Sequence, residues 1–304
     1  MKKTVLSFAG CLTLVAALTA CGGQKSCNCN CSCSDCSCQS NETSAAPVQK
    51  VDPTAYSVMD LPMVDLSQFP VDAEGYITLF DGKTFNGWRG YGKREVPARW
   101  TIEDGCIKFA GTGTGEGQTA EGGDLIFAHK FKDFQLEFEW KISKGGNSGV
   151  LYLAQEVETK DENGNQVIQP IYISSPEYQI LDNENHPDAK LGKDGNRQSA
   201  SLYDMIPAKP QAAKTAGEWN KGKIMVYRGT VTHSLNEAEN CVEYHLWTPR
   251  WTEMLQASKF SEDAWPLAFK LLNNLGGDNH EGVFGFQDHG DDVWYRNIRI
   301  KILD

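Results

Sequence analysis

Phe134, Leu136, Phe138, Trp140 and Ile142 alternate with Gln135, Glu137, Glu139 and Lys141. A period of two over nine positions predicts a strand with one face buried and one face wet. The same signature recurs in shorter runs. Tyr76-Ile77-Thr78-Leu79-Phe80 reads as a strand that ends at Asp81-Gly82. Trp100-Thr101-Ile102 and Cys106-Ile107-Lys108-Phe109 flank Asp104-Gly105, a two-residue hairpin signal. Val150 to Leu153, Tyr178 to Leu181, Ile224 to Tyr227, Cys241 to Leu246 and Val283 to Phe286 add further strands. Ile298, Ile300 and Ile302 alternate with Arg299 and Lys301 near the C-terminus. Helical spacing is confined to short pieces, notably Thr252 to Phe260. Many short strands separated by Gly-rich turns predict an all-β sandwich or jelly roll.

The N-terminus follows another pattern. Lys2 and Lys3 precede an apolar run from Val5 to Leu18, too short to span a bilayer and shaped like a signal peptide. The run ends in Leu18-Thr19-Ala20-Cys21, which resembles a lipobox, with Cys21 as the lipidated first residue of the mature chain. Several acyl chains on one cysteine meet the requirement for stable anchoring. Gly22 in place of Asp, and no acidic run after Cys21, favour a periplasm-facing outer-membrane lipoprotein. Residues 22–50 hold Ser, Asn, Gln, Gly and Cys with almost no large apolar side chain, so they read as a tether. The expected organisation is a signal peptide over 1–20, a lipidated Cys-rich tether over 21–70 and a β-sandwich over 71–304.

Composition narrows the function classes. The formal charge is −11, and removing residues 1–20 with their two lysines takes it to −13. That acidity argues against a nucleic-acid partner. Eight of the ten cysteines lie at or before position 38, leaving Cys106 and Cys241 in the body, either paired or packed as two buried thiols. The Cys-x-Cys tract after Cys21 matches no standard zinc spacing and reads as a spacer. No Gly-x-Ser-x-Gly elbow, Walker loop, dinucleotide fingerprint or His-Glu-x-x-His is present. Asp161-x-Asn163-x-Asn165 lacks the Gly and the closing Glu of a calcium loop and reads as a polar hairpin.

Three clusters carry candidate chemistry. Gly145-Gly146-Asn147-Ser148-Gly149 lets the backbone approach another strand or a ligand, with Asn147 and Ser148 as hydrogen-bonding groups. Glu177-Tyr178-Gln179-Ile180-Leu181-Asp182, followed by His186, places Glu177 and Gln179 on one strand face. Gln287-Asp288-His289-Gly290, then Trp294 and Arg296, puts polar groups at the end of an apolar strand, with Trp294 as a flat face for a sugar ring.

These clusters resemble the 3-keto-disaccharide hydrolase family. The resemblance runs from about Tyr76 to Leu303. It also includes Leu79-Phe80-Asp81-Gly82-Lys83-Thr84, Asn86-Gly87-Trp88, Gly123-Asp124-Leu125, Leu202-Tyr203-Asp204 and Gly217-Glu218-Trp219-Asn220. It implies a concanavalin A-like jelly-roll of two antiparallel sheets with short helices in loops. It also implies a carbohydrate substrate oxidised at C3, cleaved by hydrolysis or by elimination and hydration. A C3 ketone acidifies the C2 proton, a base removes it, and the C1 substituent leaves with help from an acid. The resemblance points to Asp182 and His289 for proton transfer, with Glu177 as a further catalytic group. Gln179, Asn147, Ser148, His186, Tyr203, Gln287, Asp288, Trp294 and Arg296 would line the substrate site. Asp182, His186 and His289 are donors that could hold a divalent metal. Two stretches depart from the family pattern. His233-Ser234-Leu235-Asn236-Glu237 lacks the usual Trp and Gly, and Asn196 stands where a histidine is usual. Two other readings use the same sandwich: a non-catalytic lectin-like module, and a retaining glycosidase built on Glu137 and Glu139.

Overall fold

The computed structural model describes residues 52–113, 118 and 121–303. The expectations for the signal peptide, Cys21 and the cysteine tract fall outside those residues. The expected all-β sandwich forms. Its larger sheet runs, in spatial order, Ala238–His245, Thr230–Leu235, Asn220–Tyr227, Phe134–Ile142, Val293–Ile302, Cys106–Phe109 and Trp100–Glu103, with Ile77–Thr78 added alongside Val293–Ile302. The smaller sheet runs Glu177–Leu181, Asn147–Ala154, Val283–Phe286, Leu125–Phe127 and Trp88–Gly90. All named pairings are antiparallel.

The alternating nine-residue segment behaves as its pattern requires, with Phe134, Leu136, Phe138, Trp140 and Ile142 buried and the residues between them half-buried. The Asp104-Gly105 turn places both residues at positive φ, 50° and 73°, as a type I′ hairpin demands. Aromatic rings close the space between the sheets. Phe286 stacks on Tyr295 at 3.8 Å between centroids, and Phe138 meets Tyr178 edge-on at 5.4 Å. Each fully buried ring of this size contributes about 1.5–3 kcal/mol by removal from water.

Three expectations change. A third, three-stranded sheet of Ser57–Val58, Val157–Lys160 and Gln166–Ile168 joins the two. It includes part of the segment assigned to the tether, and Phe69 is also buried. The described body therefore begins before residue 71, because Ser57 and Val58 complete the exposed edge of Val157–Lys160. The helix expected over 252–260 spans Pro249–Gln256, capped by Thr248, and a second helix occupies Pro266–Asn273. Cys106 and Cys241 are both buried and unbridged. The Asp161 carboxylate accepts from the backbone N–H groups of Asn163 and Asn165 across the polar hairpin.

Candidate active site

Backbone alternation builds the site. In Glu177–Leu181, Tyr178 and Ile180 point into the core between the sheets, so Glu177 and Gln179 emerge on the opposite face of the smaller sheet. The neighbouring strand pairs Gly149 with Gln179, Leu151 with Glu177 and Asn147 with Leu181. Asn147 and Gly149 thus share that face, while Ser148 and Val150 turn inward. On the third strand Phe284 and Phe286 fill the core, and the amide of Gln287 donates to Gly149 O at 2.9 Å. One half of this face is covered by a small apolar cluster of Tyr91, Ile126, Leu151, Ile171 and Val283. The other half holds a cavity of ≈ 230 Å³, lined by Asn147, Tyr172, Glu177, Gln179, Tyr203, Lys259, Trp265, Gln287 and His289.

Gly149 lies inside the strand Asn147–Ala154, where only a glycine fits. A Cβ at that position would lie 2.3 Å from Glu177 Oε1. The missing side chain is the space in which the carboxylate lies, between two polar strands. Glu177 is buried and makes no ion pair among the described residues. Burial pushes its pKa up to about 7; Lys259 pulls it down, and Asp124 and Asp188 add to the rise. Loss of solvation around its ammonium lowers the pKa of Lys259, against the pull of Glu177. Two amide oxygens, Asn147 Oδ1 and Gln287 Oε1, are buried with no hydrogen-bond donor among the described residues. Such acceptors cost about 1–3 kcal/mol each unless something donates to them. Asn147 Nδ2 contacts His289 Nε2 at 3.4 Å.

A secondary frame fixes these groups. Residues 200–203 run along the outer edge of Glu177–Leu181, with Ala200 N donating to Gln179 O at 2.8 Å and Tyr203 N to Glu177 O at 3.1 Å. The Tyr203 hydroxyl donates to Asp188 Oδ2 at 2.9 Å, and Arg197 bridges Asp188 and Asp204. Lys259 Nζ sits 4.3 Å from the centre of the Tyr203 ring. His233 contacts Ala200 O through Nδ1 at 2.8 Å and the Tyr152 hydroxyl through Nε2 at 2.7 Å. Burial lowers its pKa to about 4, so it is a neutral brace between the sheets. That brace is the histidine of the departing His233-Ser234-Leu235-Asn236-Glu237 stretch.

The structure brings together Asn147, Glu177, Gln179, Tyr203, Gln287 and His289 from the sequence-based set. It places the others elsewhere, for reasons that can be named. Ser148 and Asp288 are the inward neighbours of Asn147 and Gln287. The Ser148 hydroxyl donates to Gln287 O and contacts Tyr295, while Asp288 accepts from Gly123 N and Gly290 N. Asp182 accepts from the backbone N–H groups of Gly145, Glu184 and Asn185 and from the Asn185 side chain. Burial raises its pKa, but those donors together outweigh burial and hold it below the usual carboxylate range. Its lone pairs pin Gly145 of the preceding turn to the strand end. His186 caps the turn Pro187–Lys190 through Nδ1. Trp294 and Arg296 lie on the wet face of the larger sheet, where Lys141 covers Trp294 at 4.4 Å and Arg296 pairs with Glu139. Glu137 and Glu139 are likewise committed to Arg299 and Arg296. Among the described residues no three His, Cys, Asp or Glu side chains converge as a metal site, and the trio of Asp182, His186 and His289 does not form one. Tyr172, Lys259 and Trp265 were missed. They come from the short helical turn Ile171–Ile173, a loop and a helix N-cap, all beyond every motif.

Residues 75–301 match the sequence model of the 3-keto-alpha-glucoside-1,2-lyase-like domain. The chain belongs to this family. It is 64% identical over 307 residues to the 3-keto-disaccharide hydrolase of Bacteroides thetaiotaomicron, covering all of both chains. Its fold is similar to a Parabacteroides distasonis structure assigned as a glycosyl hydrolase. That likeness has a TM-score of 0.60 at 28% identity and covers 76% of this chain and 95% of the other. All the cavity-lining residues fall inside the family match.

Proposed function

We propose that the protein cleaves 3-keto-glycosides, with the reaction centred on Glu177. The observation that carries this reading is the pairing of a buried carboxyl of near-neutral pKa with two donor-hungry amide oxygens in one sugar-sized cavity. Hydroxyl groups of a pyranose are the donors that Asn147 Oδ1 and Gln287 Oε1 lack. Glu177 takes the C2 proton, made acidic by the C3 ketone, as a base whose pKa suits neutral pH. The Lys259 ammonium stabilises the negative charge that develops on the ketone oxygen. His289 gives a proton to the departing C1 oxygen, so the C1–O bond breaks to leave an alcohol and an unsaturated ketose. Water then adds across C1 and C2, and the net change is hydrolysis. Family membership and the 64% identical hydrolase support the same substrate class.

The test offers the purified protein a methyl glucoside and its 3-keto form in D₂O. Consumption of the keto form alone, with deuterium at C2 of the 3-keto sugar that hydration releases, is the expected result. Cleavage of the plain glucoside, or binding of the keto form without turnover, overturns the proposal in favour of a conventional glycosidase or a lectin-like module. We also place this chemistry at the cell envelope, on an outer-membrane lipoprotein anchored through Cys21 and facing the periplasm. Incorporation of labelled palmitate that disappears in Cys21→Ala tests the anchor.

A further inference from the structure

The cavity around Glu177 holds ≈ 230 Å³, below the range of about 300–1,000 Å³ usual for a small-molecule site. It therefore fits one pyranose ring, and a glycoside has a second half. A groove of ≈ 570 Å³ shares Trp265 with the cavity as a wall residue. The two also share a segment of chain. Tyr172 faces the cavity and packs edge-on against Trp265 at 5.9 Å between centroids, and Gln169, three residues earlier, lines the groove. The groove wall has an apolar and aromatic side, with Pro53, Tyr56, Trp265 and Pro266, and a polar side that includes Glu158, Thr159 and Lys160. It is also built rather than incidental. Gln169 Nε2 donates to Thr159 Oγ1 at 2.8 Å, Lys270 Nζ donates to Thr54 O at 3.1 Å and Ser57 pairs with Glu158.

We propose that this groove is the subsite for the leaving group and that it takes an aromatic aglycone, so the natural substrates include aryl 3-keto-glycosides. The inference rests on the reading of Glu177 as the reaction centre. Flat aromatic rings stack on Trp265 and Tyr56 at offset or edge-on geometries and lose little conformational freedom in doing so. A phenol also departs from C1 more readily than an aliphatic alcohol. The groove thus selects on the leaving group, and the cavity on the oxidised sugar.

Two variants confined to the groove test this. Tyr56→Ala removes a stacking face, and Thr159→Trp fills the space. Each is assayed on the 3-keto forms of methyl glucoside, 4-nitrophenyl glucoside and a disaccharide. The expected result is a rise in KM of roughly 5- to 10-fold for the aryl substrate alone, with kcat and the methyl substrate unchanged within twofold. Equal changes for aryl and methyl substrates, or an effect on the disaccharide alone, overturn the proposal. Binding of 4-nitrophenol itself, measured by equilibrium dialysis, separates this inference from the reading beneath it. If no keto-glycoside is cleaved but 4-nitrophenol binding weakens in both variants, the reaction assignment fails and the groove stands. If 4-nitrophenol binds the variants and the parent alike, the groove assignment fails whatever the activity.

Discussion

On the wet face of the larger sheet, Glu137 and Glu139 sit directly across from Arg299 and Arg296 in register. Each carboxylate accepts from its arginine at about 3 Å, and Arg296 also stacks on Trp219 at 3.9 Å. On the outer face of the smaller sheet, Glu177 lies across from Leu151, with a glycine beneath its carboxylate. Nearby amide oxygens have no donor. Both regions carry acidic residues on alternating strands, and both have aromatic rings and cations nearby. The first spends its charges on itself, and the second keeps them unsatisfied. Pairing at a surface is worth about 0–1 kcal/mol. A buried carboxyl left without a partner stays responsive to whatever enters.

The sharpest way to break the comparison is to neutralise one acid in each region. Glu177→Gln should lower kcat by roughly 10²–10⁴-fold, the range for losing a general base. Glu139→Gln should leave activity within about twofold. Stability should move the other way. The folded-state pKa of Glu177 is raised from 4.5 to about 7, so the native state holds its proton more tightly than the unfolded chain. The native state therefore loses stability as pH rises from 4.5 to 7, on the order of 3 kcal/mol in all. Denaturant unfolding at pH 8 should find Glu177→Gln more stable than the parent; equal or lower stability there removes the claim of a strained, unpaired acid.

Gly149→Ala comes next. The added methyl would displace the carboxylate, and a shift of about 1 Å at a reacting group costs on the order of 10²-fold in kcat/KM. A crystal structure of the variant with Glu177 unmoved would contradict that explanation. Lys259→Gln has a smaller effect that sharpens the electrostatic picture. In the proposed reaction the base form of Glu177 is the active one, so kcat/KM should rise with pH through about 7. Lys259 holds that pKa down, and its removal should shift the rise to higher pH. A profile that stays in place shows that the two groups are not coupled. Arg296→Ala should be the mildest, with a stability loss under about 1 kcal/mol and unchanged kcat/KM.

How much of this was legible in the chain follows from the same alternation. The nine-residue strand Phe134–Ile142 was readable because one face is solvated. The Asn147–Ala154 strand is buried on both faces, so its apolar run marked only Val150 to Leu153 and missed the polar start. At the site, Asn147, Gln287 and His289 were legible as polar groups near strand ends, and Glu177 and Gln179 as polar groups sharing one strand face. Ser148 was swept in with them, although it neighbours Asn147 on a strand and faces the other way, and Asp288, past the strand end, is held by Gly123 and Gly290. Sequence shows the Asp182 carboxylate but not the four hydrogen bonds that it accepts. Lys259 and Trp265 reach the cavity from a chain segment that nothing in the local pattern ties to Glu177. Their approach is set by how the Pro249–Gln256 and Pro266–Asn273 helices pack on the sandwich, a long-range outcome.

The strand register of Glu177–Leu181 has a consequence for heredity. Sliding this strand by one residue would bury Glu177 and Gln179 in the aromatic core and expose Tyr178 and Ile180. Folding and chemistry therefore hang on one discrete variable. Point substitutions along the strand can be tolerated one at a time, but a single-codon insertion or deletion within it would forfeit both at once. A lineage can retune this site by exchanging side chains on the surrounding loops, and it has no gradual route for moving Glu177 itself.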